Sequence, residues 1–474
     1  MPARPLLLSH AMLPRAICLL SCLAGLGTGG GLRAQEPSGY RPMRFDEDWR
    51  YLRDPARAVD PLDALKYIPL DERGEAWLTF GGEARERFEY FHNAQWGAGP
   101  QDSDGYLMQR YLLHSDLHVG EHVRAFAQLQ SSIVNGRTGG PRPTDQDRLD
   151  VHQAFFDVSS KLAGGGTLTA RLGRQELQYG SSRLISAREG PNVRLSFDGA
   201  RLLFASGDWH VDAFVTRPVE TDPGTFDDDA DEGRAFYGVY GSGPLPLLPD
   251  GRFDAYFLEL DRDTAAYVQG VAEEKRRSLG TRWFGKPAPW DYDFEFVWQF
   301  GTFDGGTIEA WTVASDTGCT LSWPWQPRLS LKADIASGDG DPTTAGLQTF
   351  NALFPRGAYF GEPALIGPAN IIDLHPAIAV VPTDGLRCYA DWDVFWRASV
   401  HDGIYNAALV PLRSGAGSDR SLIGNQLQIG AEWRAQRHAT LSLVYAHFFA
   451  GPFLRDTGAA EDVDYVSAWI TLKF

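Results

Sequence analysis

Cysteine is scarce in this chain, with 4 in 474 residues, and lysine scarcer still for its class, supplying only six of the 44 basic residues. Two cysteines, Cys18 and Cys22, lie near the N-terminus, which leaves Cys319 and Cys388 in the body of the chain. That number excludes a scaffold stapled by disulfides. No segment after the first 34 residues reaches the roughly 18 apolar residues that a membrane-spanning helix needs, and no helical periodicity of convincing length occurs anywhere. An excess of positive charge is missing too. Asp plus Glu number 61 against those 44, for a net charge of −17. A protein that tracks phosphates needs a basic surface, so nucleic acid is not an expected partner. Nor is there a G-x-S-x-G elbow, an H-E-x-x-H pair or a glycine-rich phosphate loop. With no nucleophile and base in evidence, an enzyme is not expected, and neither is a cofactor. His114 and His118 stand four apart, but in a strand pattern with Asp116 between them they read as polar residues on one face. Asp339 and Asp341 in SGDGDP read as turn chemistry, so no metal is expected.

What is present is alternation. From Leu386 to Val400, one row holds Leu386, Cys388, Ala390, Trp392, Val394, Trp396, Ala398 and Val400. The other holds Arg387, Tyr389, Asp391, Asp393, Phe395, Arg397 and Ser399. Period 2 sustained this far exceeds the usual strand of a soluble sandwich and is long enough to cross a bilayer at a tilt. YVSAWITLKF at 465–474 behaves the same way, with Val466, Ala468, Ile470, Leu472 and Phe474 on its apolar row. Eighteen such segments are counted between residues 76 and 474, and the connections between them alternate long and short, as in an outer-membrane barrel with both termini in the periplasm. The expected organisation is a signal peptide at 1–34, a loop-like periplasmic arm at 35–75, and an all-β transmembrane antiparallel barrel at 76–474. Cys319 and Cys388 fall on apolar rows of strands that are not neighbours, which predicts two free thiols.

On the rows that would meet water, arginine recurs. Arg85, Arg87, Arg110, Arg124, Arg171, Arg201, Arg387, Arg397 and Arg434 are expected to face the lumen, with Glu83, Glu89, Asp391 and Asp393 as acidic partners. A guanidinium suits planar contact with carboxylate. Arginines spread over many strands could hand an anionic solute along, or could simply brace the wall in a self-neutralising network with Asp and Glu.

Seven segments resemble the alginate-export family of outer-membrane barrels: EDWRYL at 47–52, LKYIPL at 65–70, GGEARERFE at 81–89, LGRQELQYGSSRLIS at 172–186, RLSFDGARL at 194–202, ASGDGDP at 336–342 and TFNALFPRGAYFGEPALIGPANIIDLHP at 349–376. The resemblance implies a monomeric barrel of eighteen strands in outer-membrane lipid. It also implies an arginine-rich lumen that conducts a polymeric uronate under the control of loops, beside a periplasmic scaffold lipoprotein of an export complex. Two other functions fit the same barrel: a porin for small anionic or sugar-acid solutes, and a plugged structural or adhesive surface barrel. The segment from Gly338 to Asn370, with Phe354, Tyr359 and Phe360, reads either as a cover for the rim or as a loop folded into the mouth.

Overall fold

The computed structural model describes residues 39–102 and 104–474. The expected signal segment, 1–34, lies outside them. Eighteen strands form the wall: β1 (Ala76–His92), β2 (Tyr106–Val119), β3 (Val123–Asn135), β4 (Asp147–Lys161), β5 (Thr167–Gln175), β6 (Phe197–Ser206), β7 (Trp209–Glu220), β8 (Arg234–Pro244), β9 (Arg252–Tyr267), β10 (Gly270–Gly285), β11 (Trp290–Phe303), β12 (Gly306–Thr320), β13 (Arg328–Ala336), β14 (Ile371–Thr383), β15 (Leu386–Trp396), β16 (Leu422–Gln436), β17 (Ala439–Ala450) and β18 (Val463–Lys473). Each pairs antiparallel with the next. β18 returns to β1 with Lys473 opposite Glu83 and Asp464 opposite His92, which closes the cylinder. Closure removes the exposed sheet edge that would otherwise have to be protected.

The wall is apolar on the outside because lipid, not a protein core, faces it. Leu172, Phe294, Phe296, Trp298, Trp392, Ile429 and Leu443 are all exposed to the surroundings. At the end bearing the short turns, Trp209, Trp283, Trp290, Trp323, Trp325 and Trp433 are exposed as well, an aromatic girdle of the kind that marks a membrane interface. Cys319 and Cys388 are free thiols.

Strand ends depart from what alternation alone suggests, most of all at β15 and at the β9–β10 hairpin. β15 stops at Trp396 instead of running on to Val400, because Ala398 and Ser399 turn away to bond Asn370. β9 and β10 run out to Tyr267 and back from Gly270, past a bulge between Arg262 and Ala265, where the alternation in the sequence breaks down. Asp261 to Asp263 and Glu273 to Lys275 hide the alternation there with charge on both faces.

The interior is filled from both ends. Two connections on the long-loop side, 176–196 and 337–370, fold inward and meet through a parallel bridge between Ile185 and Phe354. Leu177, Leu184, Ile185, Leu195, Leu347, Phe350, Phe354, Tyr359 and Phe360 form one core with Phe197, Phe214, Phe236, Tyr256 and Val297 of the wall. The Gly338–Asn370 segment therefore lies inside the barrel.

From the short-turn side the arm enters. Its backbone makes four short 3₁₀ turns between Arg44 and Leu65. Met43 and Phe45 pack against Phe126 and Phe155 on the inner wall. Arg44 donates to the carbonyls of Gly82 (2.9 Å) and Phe474 (2.8 Å). The Phe474 ring fits because residue 82 is glycine; a Cβ there would stand 2.5 Å from the ring. Asp60 and Asp63 reach His438 (2.8 Å) and Arg437 (2.6 Å) in the turn between β16 and β17. Lys66, 1% exposed, donates to the Phe80 carbonyl at 2.9 Å and lies over the rings of Tyr40, Trp49 and Phe474.

Burial, with the Arg44 charge beside it, holds the Lys66 ammonium down to about 7 from its ordinary 10.5. Releasing the arm therefore takes up a proton between pH 7 and 10.5, so docking strengthens as pH rises through that window and is weakest below pH 7. Hydrogen exchange over residues 44–65, corrected for the chemical exchange rate, should show protection growing from pH 7 to 9.5. Lys66→Met should flatten the dependence.

Candidate functional site in the barrel lumen

Along β1 the side chains alternate, and Glu83, Arg85, Arg87 and Glu89 all point inward, each less than a tenth exposed. The register then places Arg85 directly opposite Arg110 on β2 and opposite Thr471 on β18. Two like charges facing one another across a ladder weaken a sheet, so this pair is not explained as bracing.

The partners divide the arginines. Arg110 is bonded by Glu83 (2.6 Å) and by Glu189 of the inward segment (2.7 Å). Arg87 meets Glu89 (2.7 Å), Glu362 of the other inward segment (2.8 Å) and the Tyr465 hydroxyl (2.8 Å), with the Trp469 ring 4.6 Å away. Glu89 in turn accepts from Tyr106 and Tyr465. Arg85 has no carboxylate partner among the described residues. Its two terminal nitrogens donate to the carbonyls of Glu189 and Pro191, both at 2.8 Å. The result is a buried cationic centre that is under-compensated at Arg85, with Glu189 and Glu362 laid on it by the two inward segments rather than by the wall. Glu189 also contacts Arg194 and keeps 48% of its side chain exposed within the lumen.

Nearer the arm, three arginines each take a wall carboxylate: Arg124 with Asp116 (2.7 Å), Arg171 with Asp157 (2.8 Å) and Arg201 with Asp212 (2.7 Å). Arg124 also donates to the Phe45 carbonyl, and Arg171 lies 4.6 Å from the Phe45 ring. Arg387 and Arg434 sit on inward rows at the short-turn rim, exposed and without an ion pair among the described residues. His118 stacks on Trp77 at 4.3 Å, and His114 on Phe126 at 5.4 Å. SGDGDP is turn chemistry: Asp339 accepts from the Asp341 amide, and Asp341 from Thr343.

Three expectations are corrected. Arg397 lies beyond the end of β15, not on a lumen row. It is 2% exposed and spends its donors on the carbonyls of Val400, Asp402, Ser418 and Arg420. Asp391 and Asp393 do not partner arginine; both face His375, at 3.3 and 3.0 Å. And the inward rows of β6 to β11 are not wet throughout, since Phe197, Phe236, Tyr256 and Val297 lie on them. The alternation rule also passed over Glu189, Arg194 and Glu362, which reach the site from connections where no period exists, and Arg276, which is fully buried against Glu274 (2.7 Å) on a strand where period 2 could have found it.

A family model described as alginate export matches residues 76–467. Among curated proteins no match is found. Among solved structures, the chain is similar to OccD3 (OpdP) of Pseudomonas aeruginosa, with a TM-score of 0.56 and 13% identity over 86% of this chain and 93% of that one. It is similar to P. aeruginosa OccK2 (OpdF) in complex with glucuronate, with a TM-score of 0.55 and 10% identity over 86% and 99%. P. aeruginosa OpdK with vanillate gives a TM-score of 0.53 and 8% identity over 83% and 98%. At these identities the likeness is one of fold.

Proposed function

Because this chain belongs to the alginate-export family and is a channel of the cell outer membrane, we propose that it exports an anionic exopolysaccharide, alginate or a similar polyuronate. The polymer diffuses along the arginine-lined side of the lumen, and the two inward segments act as the gate. The observation that carries this reading is the seating of Glu189 and Glu362 on Arg110 and Arg87 beside the unpaired Arg85. A uronate presents the same carboxylate to the same guanidinium forks. The polymer can therefore compete with the gate for its own latches, and each repeat along it can do so in turn. Sites that bind weakly and repeatedly are what conduction requires. On this reading the arm and short turns face the periplasm, where a scaffold lipoprotein could meet them, and the barrel works as a monomer.

The test is conductance in planar bilayers with uronate oligomers of graded length. Export predicts block that deepens with length, because successive carboxylates engage successive arginines. Equal block by monomer and oligomer would sink it in favour of a pore for small sugar acids. Glu189→Gln combined with Glu362→Gln removes the competitor and should raise both open probability and oligomer affinity. In cells, a deletion strain should lose secreted uronate.

A further inference from the structure

β13, β14 and β15 lie side by side, and their register sets Lys332 opposite His375 and Asp334 opposite Asp373. Asp391 and Asp393 follow on β15. Four carboxylates and one imidazole thus face the lumen together: Asp373, His375, Asp391 and Asp393 are 2%, 6%, 7% and 0% exposed, and Asp334 is 8%. Ligand atoms of Asp373, His375 and Asp393 all lie within 4.8 Å of one another. Among the described residues, both oxygens of Asp393, one oxygen of Asp373 and one of Asp391 are buried and accept no hydrogen bond, and His375 Nδ1 makes none. Yet Nδ1 stands only 3.0 Å from Asp393. Lys332 on β13 and the His375 imidazole are the cationic groups beside these carboxylates; no Lys or Arg among the described residues comes within ion-pair distance of Asp373, Asp391 or Asp393, so the carboxylates outnumber the charges that face them.

Ionised carboxylates withdrawn from water with unused lone pairs are costly unless a cation is supplied. We propose that Asp373, His375 Nδ1 and Asp393 bind a divalent transition-metal ion of the Zn²⁺ or Mn²⁺ kind, tying β14 to β15. A site that mixes imidazole with carboxylate suits these ions better than Ca²⁺, which takes oxygen alone. Two carboxylates balance the double charge. The orienting contact is in place as well. His375 Nε2 faces Asp391 at 3.3 Å, and Asp391 accepts from Gln428 at 3.1 Å, an arrangement that fixes which ring nitrogen is free for the metal. The ladder is interrupted at this spot: pairing passes from Leu374–Val394 to Ala377–Asp391, and Pro376 has no N–H to give.

The experiment uses the detergent-purified barrel, stripped with chelator and re-equilibrated with Zn²⁺ or Mn²⁺, each alone. The expected result is about one ion per barrel by elemental analysis and a rise of several degrees in unfolding temperature. His375→Gln and Asp393→Asn should each abolish both. Asp391→Asn should keep the site but weaken it roughly 10–100-fold, as an orienting residue does. Heat-modifiable mobility on gels checks that each variant is folded. If either fails to fold, Co²⁺ absorption of the wild-type barrel keeps the question decidable, since nitrogen and oxygen ligands give weak d–d bands without thiolate charge transfer. Three outcomes overturn the proposal. They are no stoichiometric ion in the wild-type barrel, a bound ion that survives His375→Gln, or one lost on Asp147→Asn, which disrupts the separate acidic group of Asp147, Asp150 and Asp228.

Discussion

Replacing Arg85, Arg87 and Arg110 together with glutamine should cost the channel its preference for anions and weaken block by uronate oligomers by roughly 100-fold or more. Hydrogen bonds to charged groups contribute about 1.5–3 kcal/mol each, so even two lost guanidinium contacts reach that range. The same variant should conduct more, because Arg85 and Arg110 are what hold the carbonyls of Glu189 and Pro191. The two effects together are informative. If the arginines only braced the wall and the plug, conductance would rise while ion preference and block stayed as they were. Reversal potential under a salt gradient, read beside oligomer titration on the same single channels, separates the two cases.

Arg397→Gln should be the opposite kind of variant, with a large loss of stability and unchanged transport. The guanidinium of Arg397 donates to four backbone carbonyls and covers the Phe453 ring at 4.0 Å. A buried carbonyl left without a donor costs on the order of 1–3 kcal/mol, and glutamine can reach one or two of the four. We expect a loss of about 3 kcal/mol or more, seen as a lower unfolding temperature and as new protease cleavage between 398 and 421. Lysine at 397 should recover little, because one ammonium cannot reproduce the fork. Barrels that survive should be blocked by oligomers as the wild type is. A loss of block with stability intact would return Arg397 to the solute path.

The contrast between these arginines shows where the sequence was readable. Arg85, Arg87 and Arg110 lie in mid-strand, where lipid outside and the lumen inside impose a strict period of 2, and alternation alone aims them correctly. Strand count and closure are legible for the same reason. Arg397 continues the same alternation on paper, but the chain has already left the wall there, drawn off by Asn370 from a connection far away in sequence. Such a tertiary decision leaves no local trace. Asp391 and Asp393 were rightly aimed inward but wrongly matched, since which side chain a carboxylate meets depends on the neighbouring strand's register. The inward phenylalanines of β6 and β7 look anomalous until 176–196 and 337–370 are seen to fill that half of the lumen. Phe45 and Trp49 belong to a segment with no period at all, so their seats inside the mouth could not be read from pattern.

The seat of the arm has a consequence for how the molecule is assembled. Arg44 is bound by one carbonyl from β1 and one from Phe474 just past β18, and Lys66 by the Phe80 carbonyl beneath the Phe474 ring. Before the first and last strands have met, that binding site does not exist. A segment that precedes every strand in the chain therefore completes its docking only after the cylinder has sealed. Protection of residues 44–65 is accordingly a report on completion: a half-formed cylinder leaves the segment free, and only a finished one can latch it.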